Sequence, residues 1–210
     1  MSLKDRIHHE SMKLFSTKGY LNTSISDIME AAETSKGGFY NHFESKDDLF
    51  YEVLSIAQCI WRKKVLFGLD EIDSPIEKIK KILINYRDRY LKDYENFPGG
   101  CIFVTFSVEL DDQRPDLMNE VAQGFMGLKR MVKNLLEEGK EKGELRTDID
   151  TDRATEMIFS GMIGASVLFG VEKSDDTLNQ SINSLILYLD GLSPAGTLAD
   201  LNVEDQLLEI

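Results

Sequence analysis

The sequence predicts an all-α protein with a three-helix head over residues 1–46, a larger helical body over 47–192 and an acidic tail over 193–210. Three observations carry that prediction. Apolar residues return every three or four positions in one stretch after another, the period of helices packed on one face. No stretch is β-rich, and there is no internal repeat or low-complexity run. Residues 23–43, TSISDIMEAAETSKGGFYNHF, read as two short helices joined by a tight turn, the outline of a helix-turn-helix.

Taken in order, residues 3–18 form the first helix, with Ile7, Leu14 and Phe15 as its inner stripe and Gly19 as its terminator. Tyr20 reads as packing. Thr23 or Ser24 caps the second helix, whose apolar positions are Ile25, Ile28, Met29 and Ala32. Ser35 caps the third. There Phe39 and Phe43 point one way, leaving Lys36, Gly37, Tyr40, Asn41 and His42 on another side. A two-turn helix that buries only two aromatics is a weak stability element, but it suits a reading head laid in the DNA major groove.

Ser45 caps the next helix, with Asp47 and Asp48 at its positive end, and the apolar series continues from Leu49 through Trp61 to Val65. After a break, Pro75 opens a helix carrying Ile76, Ile79, Ile82, Leu83, Tyr86 and Tyr90. Residues 96–100 end it. A short apolar segment, 101–110, contains Phe103 and Phe106, and a long amphipathic helix spans about 116–142. The last two long helices, about 152–171 and 175–192, are less amphipathic. Met157, Ile158, Met162, Ile163, Leu168 and Phe169 nearly encircle the first of them, while Gly161, Gly164 and Ala165 allow close approach. Such a helix wants burial on both sides; the monomer itself can supply it, or a second subunit can, and the expectation is a homodimer with a two-fold four-helix interface to which Leu178, Ile182, Leu185, Ile186 and Leu189 of the last helix contribute. In the tail, Leu198, Leu201, Leu207 and Leu208 can form one more helical turn against the body; the alternative is disorder.

Composition narrows the function. The 210 residues carry a formal charge of −13, yet residues 1–46 hold six basic and six acidic residues, so the whole excess lies beyond them. Screening limits the body's repulsion of DNA to about 8 Å at physiological salt, and useful affinity then needs two heads binding together. No signal peptide is visible, and the longest uncharged run, 157–171, is shorter than the roughly 20 residues that span a bilayer. The expectation is a cytoplasmic protein with no membrane association. Cys59 and Cys101 make no disulfide framework, and His8, His9 and His42 have no spacing for a metal. Phosphate-binding, dinucleotide-binding and nucleophile-elbow motifs are absent, so neither an enzyme nor a cofactor is expected.

The ordered set Phe15, Gly19-Tyr20, Thr23, Ile25, Ile28, Ala31-Ala32, Ser35-Lys36-Gly37, Phe39 to Phe43, Ser45-Lys46 and Leu49 resembles the N-terminal DNA-binding domain of the TetR family of bacterial regulators. Two positions depart from it. Glu33 stands where the family has Gly in the turn and Thr34 where it has Val; a positive φ at residue 33 would make Glu costly there. The resemblance, taken with the chemistry, assigns DNA contacts. Lys36 reaches guanine acceptors beside Gly37 and Gly38 at the start of the reading helix, which Ser35 caps. Tyr40, His42, Lys46, Thr23 and Ser24 suit phosphates, and Asn41 suits adenine or phosphate. The resemblance further implies that an effector binds among the middle helices and changes the spacing of two heads through the helix after Ser45, and that regulation is by repression. Trp61, Tyr86, Tyr90, Phe103, Phe106, Met118, Phe125 and Met126 would line that pocket for a small, largely apolar or aromatic effector. Residues 99–110 resemble the corresponding region of the NemR-like subfamily, which includes an electrophile sensor. At a helix start after two glycines, Cys101 is then a candidate redox sensor with a lowered thiol pKa, against the plainer reading of a buried inert cysteine. The reading that competes with a DNA-binding regulator is a helical small-molecule-binding or enzymatic protein with a nonfunctional head.

Overall fold

A computed structural model describes residues 1–194, and the tail from 195 onward lies outside the described residues. The helices are α1 (Leu3–Lys18), α2 (Ile25–Ala31), α3 (Lys36–Tyr40), α4 (Lys46–Val65), α5 (Pro75–Asn85), α6 (Ile102–Leu110), α7 (Pro115–Glu141), α8 (Thr151–Glu172) and α9 (Asp175–Asp190). The described residues contain no strand.

Serine starts most of these helices. Ser2, Ser24, Ser35, Ser45, Ser74 and Ser174 each accept a backbone N–H from the first turn of the helix that follows. Such a cap contributes about 1 kcal/mol. At α2 the cap is Ser24 rather than Thr23, and Asp27 closes a reciprocal box on it. Helix α5 does not run straight on to Tyr90. Residues Tyr86–Tyr90 form one π-helical turn, in which Leu91 N–H donates to the Tyr86 carbonyl at 2.9 Å.

Helices α1 to α3 make the head, and α5, α7, α8 and α9 pack as the main bundle of the body. Helix α8 is long and apolar enough to cross a membrane by length and composition, but it packs along both α7 and α9. The head has no separate core. Phe106 of α6 lies 6.1 Å from Phe15 of α1 and 4.9 Å from Phe50 of α4, and Tyr20 lies 5.0 Å from Phe50, ring centre to ring centre. Residue 46 therefore marks the start of α4 and no gap in packing. The apolar cluster runs through from head to body.

Candidate nucleic-acid interface and effector cavity

The turn between α2 and α3 is held by Thr34 N–H donating to the Met29 carbonyl at 2.9 Å, and Glu33 within it has φ +47°. That is the left-handed conformation for which Gly is suited and a residue carrying a Cβ, such as Glu, is not. The turn delivers α3 with Phe39 and Phe43 fully inside, where their rings sit 5.5 Å apart. Lys36, Gly37, Tyr40, Asn41 and His42 are all exposed. Lys36 lies 5.9 Å from the Tyr40 ring centre and makes no ion pair among the described residues. Ser35 accepts from Gly38 N–H, and Ser24 is exposed at the start of α2.

Two of the residues assigned to phosphate turn inward. Thr23 is fully buried and its hydroxyl donates to the Gly19 carbonyl at 2.6 Å. Lys46 donates to the carbonyls of Tyr20 and Thr23, each at 2.9 Å, with its ammonium 4.2 Å from the Tyr20 ring centre. Burial lowers its pKa. Both side chains fasten the loop that precedes α2, because that loop would otherwise leave its carbonyls unpaired.

The same loop is gripped from the body. The Glu109 carboxylate on α6 accepts the backbone N–H groups of Tyr20 and Leu21. Gly19 leaves room for that carboxylate; a Cβ there would collide with it. Before the start of α6, Gly99 packs so closely on α1 that a Cβ would overlap the Ser16 carbonyl. Arg114 donates two hydrogen bonds to Asp47, at 3.1 and 2.7 Å, and the Tyr20 hydroxyl donates to the same carboxylate. Arg114 and Tyr20 hold the Asp47 carboxyl below its ordinary pKa. Burial, then the Asp47 carboxylate, pushes the Tyr20 phenol upward.

The body contains a cavity of about 640 Å³ bounded by α4, the π turn, α6, α7 and α8, within the range of small-molecule sites. Trp61, Tyr86, Phe103 and Phe125 line it as expected. Four other expected residues do not. Tyr90 is buried behind Tyr86 with its ring stacked at 5.7 Å. Phe106 is taken up by the head–body core, Met118 packs against the core, and Met126 faces outward at 54% exposure. Residues the sequence did not single out complete the wall, among them Gln58, Arg62, Glu120, Met131 and Phe159. Cys101 also reaches the cavity, but the lowered thiol pKa expected for it is not found. Burial pushes its pKa up, outweighing the hydrogen bonds from the start of α6 and from the two tyrosines. Among the described residues no cluster of three metal-ligating side chains occurs.

A short helix with an exposed polar face, set on a helical body that encloses a cavity, defines a helix-turn-helix transcriptional regulator with a ligand-binding domain. Residues 7–53 match the family described as "Bacterial regulatory proteins, tetR family", and residues 75–185 match "Tetracyclin repressor-like, C-terminal domain". The chain belongs to the TetR family. It is 27% identical over 179 residues to the transcriptional repressor DhaR of a Mycobacterium species, covering 85% of this chain and 87% of DhaR. It is 22% identical over 174 residues to the repressor NemR of Escherichia coli, covering 79% and 82%. A crystal structure of a TetR transcriptional regulator from Chloroflexus aurantiacus superposes with a TM-score of 0.82 at 29% identity, covering 89% of this chain and 93% of that one.

Proposed function

We propose that this protein is a repressor that binds a palindromic DNA site as a homodimer through the exposed face of α3, and that a small apolar or aromatic effector entering the body cavity releases it. The observation that carries the reading is the division of α3 and the turn that follows it, with both phenylalanines inside and Lys36, Gly37, Tyr40, Asn41 and His42 all left outside. Lys36 reaches base edges from the start of the helix, while Gly37 and Gly38 let the backbone come close. Tyr40, His42 and the Ser24 hydroxyl hold phosphates, and Asn41 pairs with adenine or phosphate.

The second head comes from a second subunit. Val171 and Leu187 are 76% and 68% exposed, and with Met157, Val167 and Leu168 they leave an apolar face on α8 and α9. Pairing of two such faces sets two α3 helices about 34 Å apart, one turn of duplex. The cavity touches α4 and α6, and both helices also hold the head, α4 through Lys46 and α6 through Glu109. An effector that prefers a different arrangement of those helices changes head spacing and weakens DNA binding by linkage. DhaR and NemR are both named as repressors, which supports this sign of regulation. The protein acts where bacterial DNA lies, in the cytoplasm, and no catalytic step is part of the cycle.

The test is selection of bound sequences from random duplex DNA by the purified protein without ligand. An enriched palindrome with half-sites about one helical turn apart is expected. A folded dimer that enriches nothing would defeat the reading.

A further inference from the structure

The cavity changes character from mouth to floor. At the mouth, the exposed Arg62 on α4 and Glu120 on α7 present one charge of each sign, and neither makes an ion pair among the described residues. The floor is built from buried residues, Tyr86, Cys101, Phe103 and Met162, with no charged side chain among them. Its hydrogen-bonding groups are the Cys101 thiol and the Tyr86 phenol, which Ser166 and Cys101 already engage. Tyr90 backs them, its hydroxyl 3.6 Å from Cys101 Sγ. Burial, above all, holds both the phenol and the thiol in their neutral forms. A charge carried to this floor would lose its water and find no counter-charge, which is strongly disfavoured. A neutral oxygen would find a donor. The side walls are flat, from Trp61 on one helix and from Phe125 and Phe159, whose rings meet edge to face at 5.5 Å.

We infer that the effector is an uncharged aromatic compound with a hydroxyl or carbonyl oxygen at its inner end, held there by the Tyr86 hydroxyl. This rests on the reading of the cavity as the effector site. The π turn is what makes the arrangement possible, since it carries Tyr86 at the cavity and stacks Tyr90 behind it. Wide turns of this kind recur at functional sites.

The experiment is equilibrium dialysis of the full-length protein at neutral pH against four probes on one scaffold: 2-naphthol, naphthalene, 2-naphthoate and 2-naphthyltrimethylammonium. The expected result is that 2-naphthol binds about tenfold more tightly than either charged analogue. Tyr86→Phe should weaken 2-naphthol binding about tenfold and leave naphthalene binding unchanged, which also reports that the variant is folded. A charged analogue that binds as well as 2-naphthol, an equal loss of 2-naphthol and naphthalene in Tyr86→Phe, or no binding of any probe would overturn the inference. Selection of duplex DNA by the same preparation separates the two readings. An enriched palindrome without naphthol binding sinks the effector class alone, and naphthol selectivity without DNA binding sinks the repressor and leaves the cavity chemistry standing.

Discussion

The carboxylate of Glu109 on α6 accepts the backbone N–H of Tyr20 at 2.6 Å and that of Leu21 at 2.8 Å, so a body side chain closes hydrogen bonds that the head leaves open. Charge-assisted bonds to backbone donors are among the stronger ones. Glu109→Gln keeps the size and loses the charge, and it turns one acceptor into a donor facing a donor. The expected outcome is a loss of about 1–3 kcal/mol of stability in urea unfolding. In the same variant, effector should lower DNA affinity less than in the parent, read by titrating a selected duplex with and without the effector.

Asp47 links the pH response to this contact. Its folded pKa lies below the ordinary carboxylate value of 3.8, because Arg114 and Tyr20 donate to it. The stabilisation it contributes is therefore present above about pH 4 and is lost as pH falls through the lowered folded value. Asp47→Asn should lower the urea midpoint at neutral pH, with the difference from the parent shrinking as the pH falls below about 4. A difference that stays constant over that range would show that the ion pair is not its source.

Lys36 and Lys46 stand ten positions apart in the head and have different surroundings. Lys36 is exposed, whereas Lys46 is committed to two carbonyls. Lys36→Ala should weaken binding to the selected site and relax its preference at the base pair that Lys36 reads. Lys46→Met should instead lower the melting temperature, leaving that preference unchanged once the protein is folded. Reversal of the two patterns would reverse the assignment.

Glu33→Gly tests the strained turn. With φ at +47°, Glu is held in a region that costs L-residues energy. The glycine variant should gain about 0.5–1 kcal/mol of stability. It also removes a negative charge beside the reading helix, so DNA should bind more tightly at low salt, and both effects can be measured on one preparation.

Leu187→Asp, together with Val171→Asp, tests pairing through α8 and α9. Sedimentation should show monomer where the parent sediments as dimer, with helix content retained by circular dichroism. DNA affinity should fall to that of a single head.

The head was legible because its pattern is local. Phe39 lies on a helix of five residues and Phe43 follows four positions later, just past its end, and once both are inside, the outward face follows. The strain at Glu33 was legible from the resemblance, since one residue out of keeping with a turn is visible at once. The Glu109 contact was not legible. Its partners are backbone amides 88 and 89 residues away, and a backbone donor leaves no mark in the pattern of side chains. The cavity was half legible for a related reason. Helical spacing says that Phe103 and Phe106 are both buried, but the angles at which α6 meets α1, α4 and α7 decide that one faces the cavity and the other the head. Cys101 shows a local rule losing to a global one. The start of a helix favours a thiolate, but burial outweighs it.

The π turn at Tyr86–Tyr90 holds one residue more than an ordinary helical turn would. Each residue of an α-helix turns the chain by about 100°, so removing one residue here would swing Tyr90, Leu91 and all that follows to another bearing. The inner end of the cavity thus depends on phase as well as on composition, and a single-codon deletion that left every neighbouring side chain intact would dismantle it.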